Sequence, residues 1–266
     1  MAIRIRDVIG KLTEEGGALG EESVDKLETG DFLGEVEAIA TAFMASQQVI
    51  ERAVALGVNL LITHEGLFYS HRPGKQPAAN DPVVRQKRRL IEESGIAVYR
   101  FHDGIHRYEP DGIMAGFVEE AGWEAYVKEY QPAAAILELP PTPLADIAQH
   151  LRTKLEAPFV RFVGDARTVC SRVGLLVGYR GGGELAIPLF AERGVDLIVA
   201  GEGPEWETPE YVRDAAHQGL NRALLVLGHG PSEAPGMKYL AKRLQAAFPS
   251  VPVHFVADQP LFQIIG

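Results

Sequence analysis

The feature that most constrains the fold is a repeated alternation of short apolar runs with amphipathic stretches that stop at glycine. Residues 58–63 (VNLLIT) form a nearly continuous apolar run, which is typical of a strand covered on both faces of a parallel sheet. Before this run, Ser46 is a suitable helix cap, apolar residues recur at helical spacing, and Gly57 ends the helix. This order of elements predicts βαβ units with right-handed crossovers.

The same alternation continues through both halves of the chain. It predicts strands at 37–45, 58–63, 96–101, 172–177, 195–200, 223–227 and 253–256. It predicts helices at about 46–57, 81–94, 183–193, 211–218 and 235–247, and a loop through Gly66, His71, Pro73 and Gly74. The chain is therefore predicted to be an α/β protein with a mostly parallel sheet in each half and helices on both faces.

A proline-rich stretch suggests where the two halves divide. Four prolines lie between residues 130 and 143 around a short apolar run. We place the division near residue 130, which gives an N-terminal domain at 1–130 and a C-terminal domain at 131–266. The strand at 253–256 is expected to close the second domain.

Charge and cysteine content exclude several classes of protein. The net charge of −10 argues against nucleic acid or an anionic membrane as the main partner, because phosphate binding needs clustered cations. The basic cluster Arg85, Lys87, Arg88 and Arg89 is interpreted as a solvated helix face. Cys170 is the single cysteine, and we expect it to be a buried small apolar residue in a reducing compartment. With no signal-peptide pattern and no apolar run of about 20 residues, a cytoplasmic location without membrane contact is expected.

Histidines and carboxylates follow four of the predicted strands at the point where each strand ends. The residues are His64 and Glu65, His102 and His106, Glu202, and His229 and Glu233. Ligands of open α/β sheets bind beyond the carboxyl ends of the strands, so these side chains are expected to lie close together. Mixed nitrogen and oxygen ligands suit Zn, Mn, Fe or Co in a two-metal site. Adjacent His64 and Glu65 point in different directions on an extended chain. Both reach one site only if the chain bends at Gly66 or if two ions lie side by side, and the second alternative favours a dinuclear centre.

Several of these residues also have plainer interpretations. A histidine after a strand is often a surface or capping residue, and Glu233 in the first turn of a helix is favoured by the helix dipole alone. The glycines at 181–183 either cradle an anion on backbone N–H groups or form a tight turn. Glu202 lies in an acidic loop that is either near the site or solvated. The remaining histidines are interpreted as surface or structural residues: His71, His150, His217 and His254.

Three motifs in order resemble a known family. They are residues 59–65 (NLLITHE), Gly201-Glu202, and residues 228–233, in which Gly228, His229, Ser232 and Glu233 match. They resemble the NIF-three-like family, also described as dinuclear metal centre hexameric proteins, with some members labelled type-two homologues of GTP cyclohydrolase one. The resemblance covers nearly the whole chain. It implies two α/β domains with the metal site between them, a pair of divalent ions and a ring-shaped homohexamer.

The resemblance also implies a set of ligands. His64 matches the first histidine of the usual His-His pair, and Glu65 stands where the family has the second. His106 stands where the family usually has aspartate, whereas His229 and Glu233 match without change. The implied metal ligands are therefore His64, Glu65, His106, His229 and Glu233. His102 matches a histidine near the site, and His102 and Glu202 are the candidate catalytic residues.

The function expected from these features is metal-dependent hydrolysis of an unknown small molecule. The metals would lower the pKa of a bound water, and Glu202 or His102 would act as general base or orient a ligand. A non-catalytic metal scaffold or metal chaperone is the alternative from another class. A nucleic-acid-associated regulator is a third interpretation, which the net charge disfavours. No purine-reading pocket is recognisable, so the cyclohydrolase label supplies no specific reaction.

Overall fold

The computed structural model describes residues 2–17, 20, 22–72, 75 and 77–265. Its α-helices are α1 (Ile5–Gly16), α2 (Gln47–Ala55), α3 (Pro82–Ser94), α4 (Asp103–His106), α5 (Gly112–Ala121), α6 (Leu144–Lys154), α7 (Gly183–Glu192), α8 (Thr208–His217) and α9 (His229–Ala247). Its strands are β1 (Lys26–Thr29), β2 (Ile39–Ala42), β3 (Leu60–Thr63), β4 (Ala97–Arg100), β5 (Val127–Tyr130), β6 (Ala135–Pro143), β7 (Arg161–Val163), β8 (Val169–Leu176), β9 (Leu197–Ala200), β10 (Ala223–Val226) and β11 (Val253–Phe255). The predicted α/β class is confirmed.

The chain divides into two compact units, each with its own sheet. The first comprises Met1–Gly112 and Gly236–Leu261, and the second comprises Ile113–Pro235 and Phe262–Gly266. The predicted division at residue 130 instead places Ile113–Tyr130 in the first domain and Gly236–Leu261 in the second.

The first sheet aligns the ends of its central strands. Its order is β1-β4-β3-β2-β11, with β1 antiparallel and the other neighbours parallel. In this register Ala42 lies beside Thr63, and Thr63 lies beside Arg100. The residues that follow β3 and β4 therefore emerge at one edge of the sheet. Apolar residues of β2, β3 and β4 share a buried core with α2 and α3.

The last strand corrects one expectation from the sequence. β11 pairs in parallel with β2 of the first sheet, where Val253 lies beside Ile39, and does not close the second sheet. All four residues of β2 are buried, so its backbone needs a partner on both sides, and β3 provides only one. An apolar run in the sequence indicates a strand but does not indicate which sheet it joins.

The second sheet is mixed. Its order is β5-β6-β8-β9-β10-β7, and only the β8-β9-β10 portion is parallel. Leu176 and Val226 both lie beside Ala200, so the ends of the three parallel strands are aligned. The core of this unit combines the sheet with α7 and α8.

Helix α9 starts earlier than predicted. It begins at His229, whereas the sequence pattern placed its start at Pro235, which lies inside the helix. Proline suits the first turn of a helix, which made Pro235 a plausible start, but its fixed φ is also compatible with a helix interior at the loss of one hydrogen bond. The earlier start places His229 and Glu233 one turn apart.

Two further expectations concern single side chains. Cys170, in β8, is buried as predicted, and burial raises the pKa of its thiol to about 12. Lys87 is not on a solvated face, because α3 turns it into the core, where Nζ lies 2.5 Å from the carbonyl oxygen of Leu67. The rings of Phe68 and Tyr69 surround the ammonium group, and burial lowers the pKa of Lys87 to about 8.

In the described part of the chain, no helix has both the length and the hydrophobicity of a membrane span. The predicted loop after β3 includes Pro73 and Gly74, which lie outside the described residues.

Candidate metal centre

Three histidine rings of the first unit converge. The ring of His64 is fully buried and stacks on that of His102, with centroids 4.4 Å apart and an interplanar angle of 23°. The ring of His106 meets the other two edge-on, at 5.0 Å from His64 and 5.2 Å from His102. One nitrogen from each residue lies within 4.8 Å of the others, a spacing that suits three ligands of one metal ion.

The ends of β3 and β4 deliver these rings. His64 directly follows β3, and its backbone N–H lies 3.2 Å from the carbonyl oxygen of Ala42. His102 is the N-cap of α4, and His106 is the last residue of that helix. A separation of four residues places both imidazoles on the same side of one helical turn.

A half-buried aspartate holds this short helix in place. The carboxylate of Asp25 accepts the backbone N–H groups of His102, Asp103 and Gly104 at 2.7, 2.8 and 2.8 Å. These three donors have no partner within the helix. Asp25 therefore accepts most of the N–H groups that the N-terminus of α4 would otherwise leave without a hydrogen bond. Burial raises the pKa of Asp25 against the lowering effect of these hydrogen bonds.

Carboxylates bind the outer nitrogens of two of the histidines. Nδ1 of His102 lies 2.9 Å from Oδ1 of Asp103, and Nδ1 of His106 lies 2.9 Å from Oδ2 of the buried Asp111. An ionised carboxylate only accepts hydrogen bonds, so Nδ1 carries the proton and the lone pair of each ring lies on Nε2. Metal-binding histidines are commonly oriented in this way.

The electrostatics keep this cluster in a form that suits a cation. Burial, together with the nearby His64, lowers the pKa of His102 to about 3. Burial of Asp103 opposes its ionisation, but hydrogen bonds from Val24 and His102 outweigh burial and lower its pKa to about 2. The cluster therefore combines a neutral imidazole with an adjacent negative charge at neutral pH.

Glu65 lies beside the histidines but has a different partner. Its Oε2 is 3.1 Å from Nη2 of the buried Arg100, and its Oε1 is 3.8 Å from Nε2 of His102. Burial would raise the pKa of Glu65, but its interactions with the nearby His102, His64 and Arg100 outweigh burial and lower it. His71, on the loop after Glu65, also contacts Arg100, with Nδ1 at 2.9 Å from Nη2.

In the second unit, His229 lies between two carboxylates. Its Nδ1 is 3.0 Å from Oε2 of Glu202, which follows β9, and its Nε2 is 3.1 Å from Oε2 of the buried Glu233. Gly178 lies against Glu233, since a Cβ at this position would be 2.0 Å from Oε1 of Glu233. The backbone N–H of Gly178 also donates to Ser232 at 2.9 Å.

The glycines at 181–183 lie at the start of α7. The backbone N–H of Gly183 donates to Oε2 of Glu207 at 2.7 Å, and the carbonyl of Gly181 accepts from Thr208 at 2.7 Å. One N–H of the proposed anion cradle is therefore bound to a carboxylate of this chain.

Comparison with known proteins identifies the family. The family model Duf34/NIF3 (NGG1p interacting factor 3) matches residues 20–260, which is most of the chain. The chain belongs to the Duf34/NIF3 family. The predicted NIF-three-like membership is thereby confirmed.

Relatives in the Duf34/NIF3 family are distant in sequence. A GTP cyclohydrolase 1 type 2 homolog of Clostridium acetobutylicum is 24% identical over 259 residues, covering 93% of this chain and 91% of the relative. The homolog of the same name from Escherichia coli K12 is 26% identical over 210 residues and covers 79% of each chain. The crystal structure of a Bacillus cereus protein related to NIF3 superposes with a TM-score of 0.78 at 14% identity, covering both chains fully. This structural likeness supports the fold.

The residues of this Duf34/NIF3 chain fit a divalent ion. In the first unit, the donor set consists of three imidazoles, with the carboxylates of Asp103 and Asp111 behind two of them. His102, expected to be catalytic, lies among the ligand candidates, and Glu65 is adjacent. In the second unit, His229, Glu233 and Glu202 are together. It stays a prediction that these residues are metal ligands. It also stays a prediction that the two groups belong to one site.

Sequence reasoning missed the residues that hold the candidate ligands. Asp25 lies far from His102 along the chain, and Asp111 follows His106 after a turn. Nothing in the local sequence pattern marks either residue. Asp103 is adjacent to His102, and this pair was a usable signal. Arg100 ends an apolar strand with a charge, which also indicated a polar contact at the edge of the sheet.

Proposed function

We propose that this Duf34/NIF3 protein binds a divalent metal ion through His64, His102 and His106 and hydrolyses a small-molecule substrate with it. The observation that carries the proposal is the convergence of three imidazoles with nitrogens within 4.8 Å. Zn, Mn, Fe and Co are the candidate ions for such donors. A divalent ion held there would supply Lewis acidity toward a carbonyl, phosphoryl or ring carbon.

A second ion is proposed to use donors of the second unit. His229 and Glu233 are one helical turn apart, with Nε2 and Oε2 3.1 Å from each other, which supports binding of one cation by both. Glu65 is a further proposed ligand through Oε1. The proposed centre is then dinuclear.

The two candidate catalytic residues take different roles in this proposal. The place of His102 beside His64 and His106 supports a ligand role in preference to the expected catalytic role. Glu202 binds Nδ1 of His229 at 3.0 Å, which supports a role in orienting that ring. The Glu202 side chain is half exposed, so its carboxylate can also accept a proton from water.

The assembly and the location are part of the same proposal. The resemblance of the sequence motifs to the dinuclear metal centre hexameric proteins implies a homohexamer, and we propose that this chain forms one in the cytoplasm. Light scattering of the purified protein tests the number of chains.

Hydrolysis tests the function directly. Protein loaded with Zn²⁺ or Co²⁺ is assayed with an activated ester, an activated phosphodiester and GTP, the last because relatives carry the GTP cyclohydrolase name. His106→Ala is expected to reduce turnover by at least about tenfold, because loss of a ligand or its support costs that much. His217→Ala, at an exposed position, is the matched control and should retain full activity. Metal binding without turnover of any substrate would instead support a carrier or scaffold.

A further inference from the structure

Arg100 is a buried cation at the edge of the candidate centre. Its side chain is only 3% exposed. Nη2 lies 3.1 Å from Oε2 of Glu65 and 2.9 Å from Nδ1 of His71, and Nη1 lies 2.8 Å from the carbonyl oxygen of His71. One guanidinium group therefore binds both Glu65 and the loop that follows it.

The loop is shaped around this guanidinium. A Cβ at Gly66 would lie 2.8 Å from the carbonyl oxygen of Ser70 and 3.4 Å from Nη1 of Arg100, so only glycine lets the chain close over Arg100. Thr63 fixes the start of the turn, since its hydroxyl donates to the carbonyl of Glu65 at 3.0 Å. The contact between Arg100 and the loop is therefore an integral part of the local fold.

The hydrogen bond between Arg100 and His71 fixes the tautomer of His71. A guanidinium has only donors, so Nδ1 of His71 accepts, and the ring proton lies on Nε2. The Nδ1 lone pair of His71 is thereby committed to Arg100, as is one oxygen of Glu65.

This arrangement decides between two groups of potential metal ligands in the first unit. Glu65, His71 and His102 have donor atoms within 4.8 Å of one another, as do His64, His102 and His106. The second group has the carboxylates of Asp103 and Asp111 behind its rings, which favour a cation. The first group has the permanent positive charge of Arg100 against two of its donors, and like charges at such distances repel strongly in a buried setting.

We propose that Arg100 takes the place of a cation beside Glu65 and thereby excludes His71 from the metal centre. Glu65 then offers only Oε1, and the first unit binds a single divalent ion, through His64, His102 and His106. This inference rests on the proposed metal-binding function. Arg100 is a positioning residue here, because it acts through Glu65 and His71.

Cobalt titration tests this assignment, with bound Co²⁺ measured by visible absorption and elemental analysis. His71→Ala is expected to bind the same number of ions as the wild type, with the same spectrum. Arg100→Met is expected to bind one ion more per chain, and the double variant with His71→Ala should lose that extra ion. Arg100→Lys keeps a positive charge and should not gain an ion. Loss of an ion in His71→Ala, or no gain in a folded Arg100→Met protein, would overturn the assignment.

A measurement without metal separates this inference from the proposed function. Nitrogen-15 NMR of the metal-free protein is expected to place the proton of His71 on Nε2, and a proton on Nδ1 would overturn the inference whatever the protein binds. Conversely, wild-type protein that takes up no Co²⁺ would reject the proposed function, while the NMR result would still decide the role of Arg100.

Discussion

Gly178 determines where a candidate ligand of the second unit can lie. Its φ of 64° is in the left-handed region, and a Cβ would be 2.0 Å from Oε1 and 2.8 Å from Cδ of Glu233. The absence of a side chain at this position makes room for the buried carboxylate.

Alanine at Gly178 should therefore displace Glu233. We expect Gly178→Ala to lower the free energy of unfolding by roughly 3 kcal/mol, because the clash adds to the left-handed strain. Gly194→Ala is the matched control, since Gly194 has a φ of 63° but nothing within 4 Å of its Cβ position. It should lose only about 1 kcal/mol. Urea unfolding measures both values, and equal losses in the two variants would contradict the account.

At this scale, the sequence predicted the polar residues at strand ends but not what holds them. His64, His102 and His106 were identifiable because each follows a buried apolar run. The roles of Asp25 and Arg100 were not, because they depend on contacts with residues 29 or more positions away. Only a folded chain brings such groups together.

Among the elements, the short helix α4 carries two of the three converging histidines. Four residues are too few for a helix to be stable alone. Asp25 compensates by accepting three of its backbone N–H groups. The position of His102 and His106 thus depends on a residue that precedes β1.

Removal of this carboxylate should affect both stability and the site. We expect Asp25→Ala to reduce the free energy of unfolding by about 2–3 kcal/mol, because it leaves three partly buried donors unsatisfied. Asp81→Ala is the control: Asp81 caps α3 through Val83 and Val84, and its loss should cost only about 1 kcal/mol. NMR signals of His102 and His106 should shift in the first variant only. Unchanged histidine signals in Asp25→Ala would contradict this role.

The elements that the sequence predicted are those with strong local patterns. Strands such as β3 and β9 are continuous apolar runs, and α2 and α3 have caps at both ends. β6 was not predicted as a strand, because prolines 140, 141 and 143 disfavour one, and its stretch served only to place the domain division. Pro140 and Pro141 lie where its pairing with β8 shifts register, and prolines are tolerated at such irregularities; Pro143 is the last residue of the strand.

At the scale of the whole molecule, the first unit is built from two separate parts of the chain. β11 pairs with β2, and the hydroxyl of Thr41 donates to the carbonyl of Met237 at 2.7 Å in the interior. Local sequence patterns do not show that the chain returns to the first unit after passing through the second. For this reason the predicted division at residue 130 was a single boundary.

Because the first unit consists of two separate parts of the chain, fragments with and without the second part should differ in how they unfold. A fragment of residues 1–130 lacks β11 and the second part of α9, so it should not unfold cooperatively in a thermal melt followed by circular dichroism. Residues 1–112 joined by a flexible linker to 236–261 contain the complete first unit. This fusion should show a cooperative transition, and a cooperative melt of the 1–130 fragment would argue against the two-part unit.

The central claim is that His64, His102 and His106 bind a divalent ion. Co²⁺ titration of the wild type, of alanine variants at these three positions and of the exposed control His217→Ala measures this directly. Each cluster variant should lose at least about tenfold in affinity, together with the visible absorption of histidine-bound cobalt. The control should match the wild type. Cluster variants that bind Co²⁺ as tightly as the wild type, or a wild type that binds none, would contradict the account.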